Sequence, residues 1–197
     1  KIKSALVYNE YYWQRINRVK FHSRSMSEGM HAILHKCPRC LQDYSMRSKG
    51  SLLFCNECDN KVLVDTYGFL NAQTVNDVAF NDMIEWRRWQ NEYLRKEIDS
   101  EDFKMEFFGS LTVKDGYGKV LTVYPESTLT ITKNEIKYAY PGGNTILLFH
   151  CITDAVSDYS LRFEINQERN SYQFTPLNGQ TVIKITDAIK CIKGILQ

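Results

Sequence analysis

The spacing of apolar residues changes character halfway along the chain. In the first third, Trp13, Ile16, Val19 and Phe21, then Met30, Ile33 and Leu34, recur at mostly helical spacing, with three-residue steps at 13/16/19 and 30/33. These steps predict a mostly helical stretch over residues 9–35, broken where Ser25, Ser27 and Gly29 interrupt it. Residues 51–54 and 61–64 read as short strands. After the polar stretch 71–77, Met83, Trp86, Trp89 and Tyr93 return to helical spacing and predict a linking helix over 78–99.

From residue 103 the period becomes two. Phe103, Met105 and Phe107 alternate with polar neighbours, and so do Leu111 with Val113, Leu121 with Val123, and Leu129 with Ile131. The series continues through Ile136, Tyr138 and Tyr140, then Ile146 and Leu148, then Leu161, Phe163 and Ile165, then Tyr172 and Phe174. Turn signals separate them at Asp115-Gly116, Pro125-Glu126, Lys133-Asn134, Pro141 to Asn144 and Gln167 to Asn170. Val182, Ile185, Ile189, Ile192 and Leu196 then form one helical stripe. The class is therefore α+β. A helical segment (1–36), a cysteine module (37–70) and a linking helix (78–99) precede a β domain (103–197). About seven antiparallel strands followed by one amphipathic helix predict a barrel or sandwich in the element order of pleckstrin-homology-like domains.

The cysteine module carries the strongest chemical signal. Cys37-Pro38-Arg39-Cys40 and Cys55-Asn56-Glu57-Cys58 are two Cys-x-x-Cys knuckles separated by fourteen residues. Two intervening residues let both sulfurs of a pair reach one ion, and two pairs complete a tetrahedron. Cys37, Cys40, Cys55 and Cys58 are the expected ligands of one structural zinc ion, with no position left open for catalysis. A redox Cys-x-x-Cys needs one pair within a β-α-β pattern, which is missing. Two disulfides need an oxidising compartment and leave Cys151 and Cys191 isolated. An iron–sulfur cluster also takes four cysteines, but the paired knuckles favour zinc. Cys151 and Cys191 read as ordinary buried residues.

Charge adds an asymmetry that the net +2 conceals. Residues 1–50 hold ten Lys or Arg against three acids, +7, so the other 147 residues carry −5. Arg15, Arg18, Lys20 and Arg24, interleaved with Tyr11, Tyr12, Trp13 and Phe21, are candidates for contact with an anionic membrane surface. A solvated basic face, or one paired with the acidic remainder, is the plainer alternative. The acidic remainder and the lack of a continuous basic stripe argue against an extended nucleic-acid site. The longest unbroken apolar run, residues 146–149, is far too short to cross a bilayer. No signal-peptide pattern opens the chain, and a start at Lys1 suggests a piece of a longer protein.

No catalytic constellation accompanies the metal site. His31 and His35 lack the following Glu of a metalloprotease helix. His150-Cys151 falls in a predicted strand, where neighbours point to opposite faces. Gly116-Tyr117-Gly118 and Gly142-Gly143 sit in hairpin contexts rather than between a strand and a helix. No Gly-x-Ser-x-Gly elbow occurs.

The stretch HKCPRCLQDYSMRSKGSLLFCNECDNKVLVDTYGFL resembles the C-terminal region of Firmicute 1-acyl-glycerol-3-phosphate (lysophosphatidate) acyltransferases. The resemblance rests on the cysteine pairs, the Ser45–Gly50 connector and the Asp65-Thr66-Tyr67-Gly68 exit. Tyr11-Tyr12-Trp13-Gln14 and Glu85-Trp86-Arg87-Arg88-Trp89 stand where that family places flanking helices. It covers most of residues 10–110 and weakens beyond. One departure is that Leu41 and Asp59 replace the glycine that usually follows each knuckle. The family's catalytic His, followed five positions later by Asp, is absent: the four histidines lead to Ser27, Lys36, Cys40 and Ala155. The resemblance implies a zinc-stabilised accessory region without catalytic residues, partnered with its own acyltransferase domain. It also implies a cytoplasmic setting, peripheral at the inner membrane face. The alternative is a stand-alone zinc-ribbon module that binds protein or nucleic acid.

Overall fold

Less of the first third is helical than its spacing predicts. In the computed structural model, which describes residues 9–158, 161–177 and 182–195, helix α1 spans only Glu10–Asn17. The Asn9 side chain accepts from the Tyr11 and Tyr12 amides at its start, and Arg18 ends it in the left-handed conformation (φ 50°). Residues 18–29 are not helical, because their polar groups turn to the following sheet instead. The Phe21 amide donates to the Thr66 carbonyl at 2.7 Å, and the Ser27 hydroxyl reaches the Gly50 and Leu52 carbonyls. One short turn, α2 (Met30–Ile33), follows. The chain divides into two units, Lys1–Gln90 and Asn91–Gln197, and the division falls within helix α3 (Met83–Asp99).

Unit 1 is built on a four-stranded antiparallel meander, in sequence order: β1 (Met46–Lys49), β2 (Leu52–Cys55), β3 (Lys61–Val64) and β4 (Leu70–Ala72). Strands of three or four residues cannot build a core alone. Here they share one with Leu34, Cys37 and Trp86, around Met46, Leu53, Val62, Val64 and Leu70. Helix α3 begins at Met83 rather than residue 78, because Asp82 caps it by accepting from the Glu85 amide at 3.0 Å. Its buried positions step by four, Trp86, Gln90, Leu94 and Ile98, so the predicted stripe through Trp89 and Tyr93 lies to one side of the buried line.

Unit 2 is a curled seven-stranded antiparallel sheet, a half-barrel, followed by the C-terminal helix α4 (Ile183–Ile192). Its strands are β5 (Met105–Asp115), β6 (Val120–Ile131), β7 (Glu135–Tyr140), β8 (Gly143–Leu148), β9 (Asp154–Asp158), β10 (Arg162–Gln167) and β11 (Asn170–Pro176). The order is β8-β7-β6-β5-β11-β10-β9, so the first strand pairs with the last. Alternation places Met105, Phe107, Leu111, Leu129, Ile131, Ile136, Tyr138, Phe163, Ile165 and Phe174 inside. Leu121, Val123 and Leu161, which the alternation groups with the inward residues, are more than half exposed, and two further readings need correction. The predicted turn at Pro125-Glu126 lies inside one continuous strand. There the pairs Gly109↔Ser127 and Leu111↔Tyr124 leave β6 one residue in excess, a bulge that accommodates proline. In β8 the buried residue is Leu147, while Ile146 and Leu148 face outward. Gly109, opposite the bulge, is obligatory by space: a Cβ there would collide with the Thr175 carbonyl oxygen and the Phe174 ring. Ile185, Ala188 and Ile189 on α4 and Val182 just before it are buried, with Lys184 held to Glu97 at 2.6 Å. Leu196 lies outside the described residues. No described helix is long and apolar enough to cross a membrane.

Candidate metal centre

The two knuckles fold as copies of one another. In the first, the Cys37 amide donates to the Gln42 carbonyl at 3.0 Å and the Leu41 amide returns to the Cys37 carbonyl at 3.0 Å. In the second, Cys55 donates to Asn60 at 2.9 Å and Asp59 returns to Cys55 at 3.2 Å. Each loop closes through one left-handed residue, Leu41 (φ 64°) and Asp59 (φ 56°). Both turns thus close in the left-handed conformation without glycine. The first knuckle precedes β1 and the second joins β2 to β3. Antiparallel pairing of β1 with β2 brings them together, with Met46 opposite Cys55.

That arrangement gathers all four sulfurs within 4.8 Å of one another. Cys37 Sγ lies 3.6 Å from Cys58 Sγ, and Cys40 Sγ lies 3.7 Å from Cys55 Sγ. Both separations far exceed the roughly 2.05 Å of a disulfide, and the cysteines are free thiols. The four can therefore hold one metal ion, with all four positions supplied by the chain. Cys37 and Cys55 are fully buried, Cys58 is half-buried and Cys40 is exposed.

Amide hydrogens converge on the sulfurs. The Glu57 amide donates to Cys55 Sγ at 3.4 Å. Burial pushes the Cys55 thiol up, but donation from the Ser45 hydroxyl and the Glu57 and Cys58 amides outweighs it and brings the group down to about 7. Burial pushes Cys37 well above the usual thiol range against donation from the Cys40 and Arg39 amides, and burial also raises Cys58.

A polar frame around the cluster was invisible in the sequence pattern. On α3, the buried Trp86 donates its indole N–H to the Lys36 carbonyl at 3.0 Å, and Gln90 accepts from the Lys36 amide at 3.0 Å. The Gln90 amide also donates to the Ile33 carbonyl. The residue before the first ligand is thus fixed on both backbone groups. Beyond the second knuckle, the buried Asn60 side chain exchanges two hydrogen bonds with the Val78 backbone, at 2.7 and 2.9 Å. Periodicity marks Trp86 only as an apolar position, and nothing local marks Gln90 or Asn60.

The histidines stay outside the centre. His31 Nδ1 lies 2.6 Å from the Ser48 hydroxyl, and buried His35 lies 3.2 Å from the Asp43 carboxylate, beside the Tyr44 ring. His150 and Cys151 belong to a 3-10 turn, Phe149–Cys151, rather than a strand. Cys151 and Cys191 are half-exposed rather than buried. Of the four candidate membrane cations, Arg15 is paired with Asp82 at 2.7 Å, and Arg18 stacks over the Tyr67 ring at 4.1 Å. Lys20 and Arg24 are exposed on the following loop. Comparison with protein-family models and with curated proteins finds no match.

Proposed function

We propose that residues 37–72 are a structural zinc ribbon, and that the chain is a non-catalytic accessory region of a phospholipid-biosynthesis acyltransferase. The observation that carries the metal reading is the geometry of the sulfur cluster. Four thiolates at about 2.3 Å from zinc stand about 3.8 Å apart in a tetrahedron, and the knuckles hold opposed sulfurs at 3.6 and 3.7 Å. A soft all-thiolate tetrahedral set selects zinc or iron over hard cations. When bound, zinc would supply charge compensation and cross-linking rather than reactivity, because four thiolates fill a tetrahedral shell and leave no open position. The chain's own residues do the rest: amides and Ser45 stabilise the thiolates, while Trp86 and Gln90 hold the approach to Cys37.

The acyltransferase assignment rests on the resemblance over residues 10–110, and the left-handed Leu41 and Asp59 remove its main local objection. A pleckstrin-homology-like reading of unit 2 is supported by a sheet in which the first strand pairs with the last, followed by one helix. Such a unit serves as a docking or regulatory body for an adjoining acyltransferase domain. Two measurements test the proposal. Elemental analysis of purified protein is expected to return one zinc per chain; iron, or no metal with free thiols, refutes the zinc reading. Incubation with acyl thioester and lysophosphatidate is expected to give no transfer by this chain, and measurable turnover refutes the accessory reading.

A further inference from the structure

We infer that the outer face of α1 and the loop after it, residues 12–24, docks onto an anionic lipid surface. Tyr12 and Ile16 are 65% and 64% exposed, and Trp13, Val19 and Phe21 are about half exposed. Single exposed apolar residues are ordinary, but five large ones within ten positions form a patch that water disfavours. The patch is built rather than frayed. Buried Gln14 donates its amide to the Val19 and Tyr67 carbonyls, which ties the loop to the turn after β3. The Phe21 amide is bonded to Thr66, and its ring lies against Gly68, where an added Cβ would stand 3.5 Å from Phe21 Cε2. The fold therefore spends hydrogen bonds on presenting apolar side chains outward.

Charge identifies the occupant. Between residues 9 and 25 the chain carries four Lys or Arg and one acid, Glu10. Arg15 is engaged with Asp82 and Arg18 lies over the Tyr67 ring, so Lys20 and Arg24 are the cations left to face outward, beside the apolar residues. That combination matches the boundary of an anionic bilayer, where phosphates meet basic groups while aromatic and aliphatic side chains enter the acyl edge. Single-stranded nucleic acid could stack on Tyr12, Trp13 and Phe21 but would leave the aliphatic Ile16 and Val19 unmatched, whereas a lipid surface takes up all five. The inference concerns a surface apart from the sulfur cluster and depends on the metal only for the fold of unit 1.

The test is co-sedimentation of the zinc-loaded 197-residue chain with vesicles of phosphatidylcholine, with and without phosphatidylglycerol. Binding is expected only with the anionic lipid, and is expected to fall as salt rises toward about 0.5 M. Lys20→Gln with Arg24→Gln is expected to weaken it about thirtyfold, two charges at about 1 kcal/mol each. Tyr12→Ser with Ile16→Ser, both on exposed positions, is expected to cost on the order of tenfold. Zinc content and circular dichroism measured alongside separate lost folding from lost docking. Equal binding to neutral vesicles, no binding to anionic ones at low salt, or unchanged affinity in either folded double variant overturns the inference. So does retention on single-stranded RNA that vesicles fail to displace.

Discussion

Replacing Cys55 by Ser removes one of the four clustered thiols, the proposed zinc ligands, from a fully buried position. Cys55 is fully buried, ends β2, and opens the second knuckle. A hydroxyl there binds zinc far less well than a thiolate, and it sits among Leu34, Leu53 and Trp86. Structural four-ligand zinc sites contribute about 10–16 kcal/mol of apparent binding free energy near neutral pH. The net stability of an ordinary domain is about 5–15 kcal/mol. Losing even half of the metal's contribution therefore removes most of what holds four strands of three or four residues. The substituted chain is expected to purify with little zinc and to show fast amide exchange across residues 37–72, while exchange in β5 to β11 stays slow. Trp86 offers a second readout: its buried indole is bonded to the residue before Cys37, so tryptophan emission moves to longer wavelength. Native-like protection of residues 37–72 in a zinc-free Cys55→Ser protein would refute the reasoning, since the apolar cluster would then suffice alone.

Further outcomes follow from other contacts. Gly109→Ala forces a Cβ against the Thr175 carbonyl and the Phe174 ring, and is expected to lower the stability of unit 2 by about 1–3 kcal/mol in thermal unfolding. Gln90→Leu leaves the buried Lys36 amide and Ile33 carbonyl without their side-chain partner. A cost of about 1–3 kcal/mol and faster zinc release to a chelator are expected. Zinc retention depends on pH with a definite sign. Burial raises the Cys37 and Cys58 thiols, so binding displaces at least those two protons. Apparent affinity therefore falls by at least about a hundredfold per unit of acidification, measurable by competition with a chromogenic chelator.

What could be read from residues alone divides by whether the signal is local. The knuckles were legible because metal geometry constrains spacing within four residues. The hairpin turns at Asp115-Gly116, Lys133-Asn134 and Pro141-Gly142 were legible because their chemistry is local too. Pro125 misled because a proline that ends one strand and a proline in a bulge look alike; only the pairing with Gly109 and Leu111 distinguishes them. The helix over residues 9–35 was overcounted because Phe21 and Ser27 find partners about 23 to 45 residues away, at Gly50, Leu52 and Thr66. In β8 the apolar run Ile146-Leu147-Leu148 carries no phase, so register with β7 decides that Leu147 enters the core. Gln90 and Asn60 are polar residues doing interior work, and polarity alone suggested solvent.

The two left-handed knuckle residues have a consequence for how such ribbons diverge. Holding a non-glycine residue at positive φ costs about 1–2 kcal/mol, small beside the free energy that a bound ion returns. A bound ion would thus offset the strain of its own loops, and glycine after each second cysteine would be dispensable once the four sulfurs are in place. Leu41 and Asp59 occupy those positions here. A search pattern that demands glycine there would pass over this chain, whereas one written on the cysteines and the paired amide-to-carbonyl closures would find it.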